Sequence, residues 1–178
     1  MKVVILAGGF GTRFSEYTEI MPKPMIRIGD MPIIHHIMRW YSYFGYTEFI
    51  LALGYKHEIF KEYFLNYSRL HSDFRVNMKS GDCTIYNKTE YDWNISLIDT
   101  GINTMTGGRI KKLQKIIGNE TFLLTYGDGL ADVDINKSLD FHKKNGKKMT
   151  VTAVRPNARF GELEINDNKC ESSAPSSS

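Results

Sequence analysis

Residues 2–13 read KVVILAGGFGTR. The first half is continuously apolar and β-branched. That predicts a strand buried on both faces, as in a parallel sheet. The second half carries Gly8, Gly9 and Gly11, then Thr12 and Arg13. A glycine-rich turn after a first parallel strand lies at the carboxyl edge of an open α/β sheet, where such sheets bind ligands. Glycines there permit φ > 0 and leave amide N–H groups bare toward an anion, and an arginine adds a forked charge. A purely steric turn without a ligand is the alternative at this point.

The spacing excludes two familiar phosphate loops. GGFGTR lacks the lysine-serine/threonine close of a P-loop, and Phe14 stands where the dinucleotide fingerprint wants its third glycine. A charge of +3, from 23 basic and 20 acidic residues, leaves no nucleic-acid footprint, because the lysines are scattered. Two cysteines, Cys83 and Cys170, make neither a metal-ligand pair nor a disulfide scaffold. A reducing, cytoplasmic setting follows from that usage. No signal peptide and no run long enough to span a bilayer is expected.

Along the rest of the chain, apolar periodicity predicts a helix over PIIHHIMRWYSYFG (32–45), a strand at EFILAL (48–53) and a helix over KHEIFKEYFLNY (56–67). Between 73 and 98, three short alternating stretches predict a small β insertion. A helix follows at GRIKKLQKII (108–117), then a buried strand at TFLLTY (121–126) and a helix over about 134–145. MTVTAV (149–154) and GELEI (161–165) predict two more strands. This is a doubly wound, mostly parallel α/β fold with a small β insertion. The domain spans 1–168, and 169–178 is expected to be a disordered serine-rich tail.

Three further motifs carry chemistry. In MPKP (21–24), two prolines bracket Lys23 and hold it in an extended segment, either as a rigid surface loop or as an ammonium aimed at phosphate. In TYGDG (125–129), Asp128 follows a strand at the same sheet edge, where a carboxylate suits Mg²⁺ or simply makes a turn. In TMTGGRIKKL (104–113), Gly107 and Gly108 break the chain before a helix. Arg109 then falls in its first turn, against the dipole preference, which suggests a shared anion or a solvated side chain. His35 and His36 are adjacent on a helix and do not share a face, so they make no metal pair.

LAGGFGTR, then MPKPMIRIGDMPII, then YGDG together resemble the sugar-nucleotide pyrophosphorylases. LIDTGINTMTGGRIKKL, FLLTYGDGLADVDI and RFGEL are similar to the glucose-1-phosphate cytidylyltransferase branch. The resemblance covers residues 1 to about 168. It implies a nucleotide-diphospho-sugar transferase fold and Mg²⁺-dependent joining of CTP to glucose 1-phosphate. It also implies a homo-oligomer at full length, with no nucleic-acid or membrane partner. Leu6, Ala7, Gly8, Gly9, Gly11, Thr12 and Arg13 match the loop that wraps the nucleotide. Lys23 matches a lysine on the phosphates, Thr104 and Arg109 match CTP-contacting positions, and Asp128 matches a carboxylate on the metal. Gly161 matches the stretch that approaches the sugar. Arg13, Lys23 and Asp128 are the catalytic candidates.

The family pattern implies a later glutamate-lysine-proline motif and a second metal-binding acid, neither of which follows Glu171 here. A truncated chain is therefore expected, with nucleotide binding surviving better than turnover. A thymidylyl- or uridylyltransferase, a non-catalytic binding module and a non-functional remnant are the alternatives.

Overall fold

The computed structural model describes residues 1–10, 20–87, 91–153 and the backbone of 163–166 and 169–172. It divides into two units, Met1–Ile135 and Asn136–Ser178.

The first unit is built on four parallel strands: β1 (Lys2–Leu6), β4 (Glu48–Leu53), β7 (Asn94–Asp99) and β8 (Leu123–Tyr126). Their order is β7-β4-β1-β8. Val4 is registered against Ile50 on one side and Leu124 on the other. The chain therefore steps outward from β1 through β4 to β7, then returns past β1 to place β8. That reversal puts a switch point between β1 and β8, where ligands bind outside the carboxyl ends of the strands.

Strand alternation assigns the two faces. Val3, Ile5, Phe49, Leu51 and Leu53 meet Ile34, Ile37 and Met38 of α1 (Ile33–Tyr43) and Phe60 of α2 (His57–Leu70). Val4, Leu6, Ile50 and Ala52 meet Leu113 and Ile117, which belong to the segment of α3 (Thr106–Lys112) and α4 (Gln114–Ile117). Both faces of the central strands are thus covered, which is why β1 and β4 read as unbroken apolar runs. Pro32 precedes α1 as its N-cap, and Gly45 closes the helix at φ 87°, a value glycine adopts without a Cβ penalty.

Two short antiparallel pairs decorate the sheet: β2 (Arg27–Ile28) with β3 (Met31–Pro32), and β5 (Phe74–Val76) with β6 (Cys83–Ile85). The second pair is the predicted β insertion. NISLID is not part of that insertion. It is β7, paired in parallel along the whole of β4. Its apolar residues alternate because, among the described residues, it lies at the edge of the sheet, half-buried.

TFLLTY also departs from expectation. Leu124 and Tyr126 are exposed, so β8 buries one face only. Residues 149–153 of MTVTAV form no strand, which shows how far β-propensity depends on an available partner.

The second unit holds all but the first residue of α5 (Ile135–Asn145), as the periodicity predicts. It also holds an antiparallel pair, β9 (Leu163–Asn166) with β10 (Lys169–Ser172). The expected tail is therefore structured over 169–172, and 173–178 lie outside the described residues. Among the described residues no helix is long and apolar enough to cross a membrane.

Candidate active site

A cleft of about 450 Å³ opens at the switch point. Leu6, Ala7, Gly8, Gly9 and Phe10 line it from the end of β1, and Tyr126 and Asp128 from the end of β8. Lys23 and Pro24 close a second side, and the loop from Ile102 to Thr106, with Arg109, a third. Eight residues that the sequence proposes for the site therefore share one wall system: Leu6, Ala7, Gly8, Gly9, Lys23, Thr104, Arg109 and Asp128. Gly11, Thr12, Arg13 and Gly161 lie outside the described residues.

The approach of Lys23 to Asp128 is built by two local features. Gly127 N–H donates to the Leu6 carbonyl at 2.9 Å, which carries the β1–β8 ladder one step past β8 and sets Asp128 beside the glycine loop. Pro22 is extended, and Lys23–Met25 then form a 3₁₀ turn, with the Met25 N–H donating to the Pro22 carbonyl at 2.8 Å. Lys23 thus heads a tight turn rather than the extended segment its flanking prolines suggest. Proline fits the first positions of such a turn because its φ is already near −65°. A methyl added at Gly127 would lie 3.2 Å from each of Ala7, the Leu6 carbonyl and Pro24, so this junction is tightly packed. Lys23 Nζ donates to Asp128 Oδ2 at 2.8 Å, and both side chains keep roughly a third of their surface exposed, at 30% and 40%.

Arg109 behaves differently from expectation. α3 begins at Thr106, so Gly107 and Gly108 lie inside the helix rather than before it, and Arg109 is one turn in. Its side chain runs into the protein at 5% exposure. Nη1 donates to the Leu53 carbonyl (2.9 Å), the Thr100 hydroxyl (2.6 Å) and the Gly101 carbonyl (2.9 Å). Nη2 donates to the carbonyls of Gly8 (2.8 Å) and Ile102 (3.3 Å). Burial pulls the Arg109 pKa below its ordinary value, and the charge of Asp99 opposes that pull. Thr104 is tied inward too. Its hydroxyl donates to the Thr100 carbonyl at 2.6 Å and accepts from Lys112 Nζ at 3.1 Å.

Gly8 and Gly9 serve a purpose other than turning. Gly8 and Gly9 are absent from the positive-φ glycines of the described residues. A methyl on Gly8 would overlap the Arg109 guanidinium, whereas a methyl on Gly9 would meet nothing within 4 Å among the described residues. Gly8 makes room for the arginine, and Gly9 leaves its stretch of backbone open to whatever enters the cleft.

Sequence reasoning misses Thr100, Leu53 and Gly54, which surround the guanidinium. The one signal is a glycine at the end of each of two neighbouring central strands, LAGG and LALG. Among the described residues there is no group of three or more His, Cys, Asp or Glu side chains that could enclose a metal. Among the described residues, Asp128 alone lines the cleft with a carboxylate. That donor set fits Mg²⁺ held largely by substrate oxygens and water, and does not fit a closed protein cage.

The comparisons with known proteins agree with this arrangement. Residues 2–172 match the family described as nucleotidyl transferase. The chain is 50% identical over 166 residues, 93% of its length, to a glucose-1-phosphate cytidylyltransferase of Salmonella typhimurium. It is 46% identical over 167 residues, 94% of its length, to a probable glucose-1-phosphate cytidylyltransferase of Bacillus subtilis. It spans 65% of the length of each of those relatives. HddC from Yersinia pseudotuberculosis, solved in complex with GMP-PN, superposes with a TM-score of 0.54 at 28% identity, covering 79% of this chain and 53% of that one. A UDP-glucose pyrophosphorylase in complex with UDP-glucose shares the fold at a TM-score of 0.56 and 20% identity, over 82% of this chain and 54% of the other. The parallel sheet, the glycine loop at its switch point and the match across nearly the whole sequence place this chain in the nucleotidyl transferase family.

Proposed function

We propose that the cleft binds CTP and that the protein takes part in joining CTP to glucose 1-phosphate, giving CDP-glucose and pyrophosphate. The observation that carries this reading is the convergence of Gly8, Gly9, Lys23 and Asp128 on one cleft at the β1/β8 switch point. The identity to the Salmonella and Bacillus cytidylyltransferases supports cytosine as the base and glucose 1-phosphate as the acceptor.

The chemistry asks little of acid–base groups. A phosphate oxygen of glucose 1-phosphate attacks the α-phosphorus of CTP, forming one P–O bond. The bond to the β-phosphate breaks and pyrophosphate leaves with its electron pair. The attacking oxygen is already anionic, so no proton need be removed. The protein instead has to bring two polyanions together and neutralise charge in the transition state. Backbone N–H groups of the Gly8–Phe10 loop and the Lys23 ammonium serve the phosphates. Arg13, a few residues further along the sequence, would add a second cation. Asp128 would hold Mg²⁺, which supplies further neutralisation when bound. Thr104 shapes the wall on the β7 side, and Gly161 belongs to the stretch that would approach the sugar. A cytoplasmic setting and assembly of several full-length copies belong to the same proposal.

The test is a two-part assay on this chain: titration with CTP in the presence of Mg²⁺, and pyrophosphate release on adding glucose 1-phosphate. CTP binding that exceeds binding of dTTP, UTP and GTP supports the reading. Preference for another nucleotide moves the protein to another branch of the family, and failure to bind any nucleotide overturns the proposal.

A further inference from the structure

Arg109 is far more enclosed than a phosphate-binding arginine needs to be. Its two terminal nitrogens reach five acceptors drawn from three strand ends: Gly8 after β1, Leu53 closing β4, and Thr100, Gly101 and Ile102 after β7. No carboxylate is among them. The hydrogen-bond partners are four backbone carbonyls and one hydroxyl, a task suited to a planar fork with five donors and not to a lysine.

The surrounding chain is cut to fit that fork. A methyl on Gly8 would overlap the guanidinium and, within 4 Å, its three nearest atoms all belong to Arg109. A methyl on Gly54 would stand 2.6 Å from Nη1, and also 2.8 Å from the Gly8 carbonyl oxygen. Both glycines sit against one guanidinium, and the two strands that carry them are neighbours in the sheet.

This geometry reaches the cleft through one peptide. The Gly8 carbonyl is fixed by Arg109 Nη2 at 2.8 Å and also accepts from the Tyr55 N–H at 3.4 Å. In a planar trans peptide, the carbonyl of residue 8 and the N–H of residue 9 point in opposite directions. Fixing the first therefore fixes the second, and Gly9 lines the cleft.

We infer that Arg109 is a positioning residue: it locks the Gly8–Gly9 peptide so that the Gly9 N–H is aimed before a nucleotide arrives, and Gly8 and Gly54 are glycine to admit it. The ligand half of this inference rests on the proposed nucleotide site. The bracing half stands on the unliganded protein.

A double-mutant cycle separates the two. In the parent chain, Gly8→Ala lowers the thermal midpoint sharply. In an Arg109→Met background, whose flexible apolar side chain keeps the site filled, the Gly8→Ala penalty falls to a small fraction. Gly54→Ala is the internal control and keeps much of its penalty in both backgrounds, because the Gly8 carbonyl still stands in its way. Additive effects of Gly8→Ala and Arg109→Met would overturn the brace. Arg109→Lys, which keeps the charge and loses the fork, provides a milder second variant.

The spectroscopic arm is the ¹⁵N order parameter of Gly9 without nucleotide. It is expected to fall from the rigid range near 0.85 toward about 0.6 or lower in Arg109→Met. CTP affinity falls about tenfold with it, the size expected for a lost charge-assisted hydrogen bond. Unchanged Gly9 order alongside weakened CTP binding would mean that Arg109 touches the nucleotide directly, and would overturn the positioning role. If the parent chain binds no CTP, the functional reading fails, while the cycle and the order parameter still decide the brace.

Discussion

Lys23 Nζ lies 2.8 Å from Asp128 Oδ2, across 105 residues of sequence. The pair joins the 3₁₀ turn after the glycine loop to the end of β8, and so spans the switch point of the sheet. Its two members are the lysine and the acid assigned to phosphate and metal. The ammonium donates to the carboxylate that the proposed function gives to Mg²⁺.

Substituting either residue separates binding from stability. The pair is partly exposed, and such pairs contribute about 1 kcal/mol or less. Lys23→Ala and Asp128→Asn should each leave the urea midpoint nearly unchanged. Lys23→Ala should weaken CTP at every Mg²⁺ concentration. Asp128→Asn should blunt the Mg²⁺ dependence of CTP binding. A Mg²⁺ series of CTP titrations on both variants checks this, and an Asp128→Asn variant that retains the parent's Mg²⁺ response would remove Asp128 from the metal role.

Thr100 links the brace to the strand ends. Its hydroxyl, fully buried, donates to the Leu53 carbonyl at 2.6 Å and accepts from Arg109 at 2.6 Å. Thr100→Val removes both hydroxyl hydrogen bonds, one of them from a charged donor, and should cost about 1–3 kcal/mol, while the Leu53 carbonyl keeps the Thr100 N–H and Arg109 Nη1 as donors. Thr100→Ser keeps the hydroxyl and should cost much less. Urea unfolding of the two variants distinguishes a hydroxyl effect from lost packing.

His35 predicts a pH dependence. It is 1% exposed, accepts or donates through Nδ1 to the Tyr63 hydroxyl at 3.1 Å, and is ringed by Tyr67, Tyr91 and Trp93 at 4.9–5.2 Å between centroids. Burial, with Arg39, His36 and His71 adding to it, lowers its pKa from 6.5 to about 4. The folded protein therefore holds His35 neutral. The unfolded chain takes up a proton first as pH falls below 6.5, so stability drops from there and levels off below about 4. The whole loss is up to about 3 kcal/mol. Urea midpoints between pH 7.5 and 4 should trace it, and His35→Leu should flatten that part of the curve.

The elements legible in the sequence are those whose signals are local. The apolar runs of β1 and β4, the stripe of α1 and the carboxyl-edge motifs all rest on short-range pattern, and they are enough to bring Lys23, Asp128 and the glycine loop to one edge. Features that depend on distant partners are not legible. β7 reads as part of an insertion because half-burial at a sheet edge and a free-standing hairpin give the same alternation. Arg109 reads as solvated or ligand-bound, because arginine is rarely buried without a carboxylate. Gly8 reads as a turn residue, yet what it lacks is a methyl, and the reason lies 101 residues away. His35 reads as half of a poor metal pair, while its burial among aromatic rings comes from α2 and the approach to β7.

The proposed function requires the cleft at the β1/β8 switch point to take up CTP. Calorimetric titration of the chain with CTP in Mg²⁺ is set beside the Lys23→Ala variant. Saturable one-to-one binding of CTP, tighter than that of dTTP, UTP or GTP and weakened by about tenfold or more in Lys23→Ala, is the predicted result. A folded parent chain that takes up no nucleotide, or CTP binding indifferent to Lys23, would contradict it.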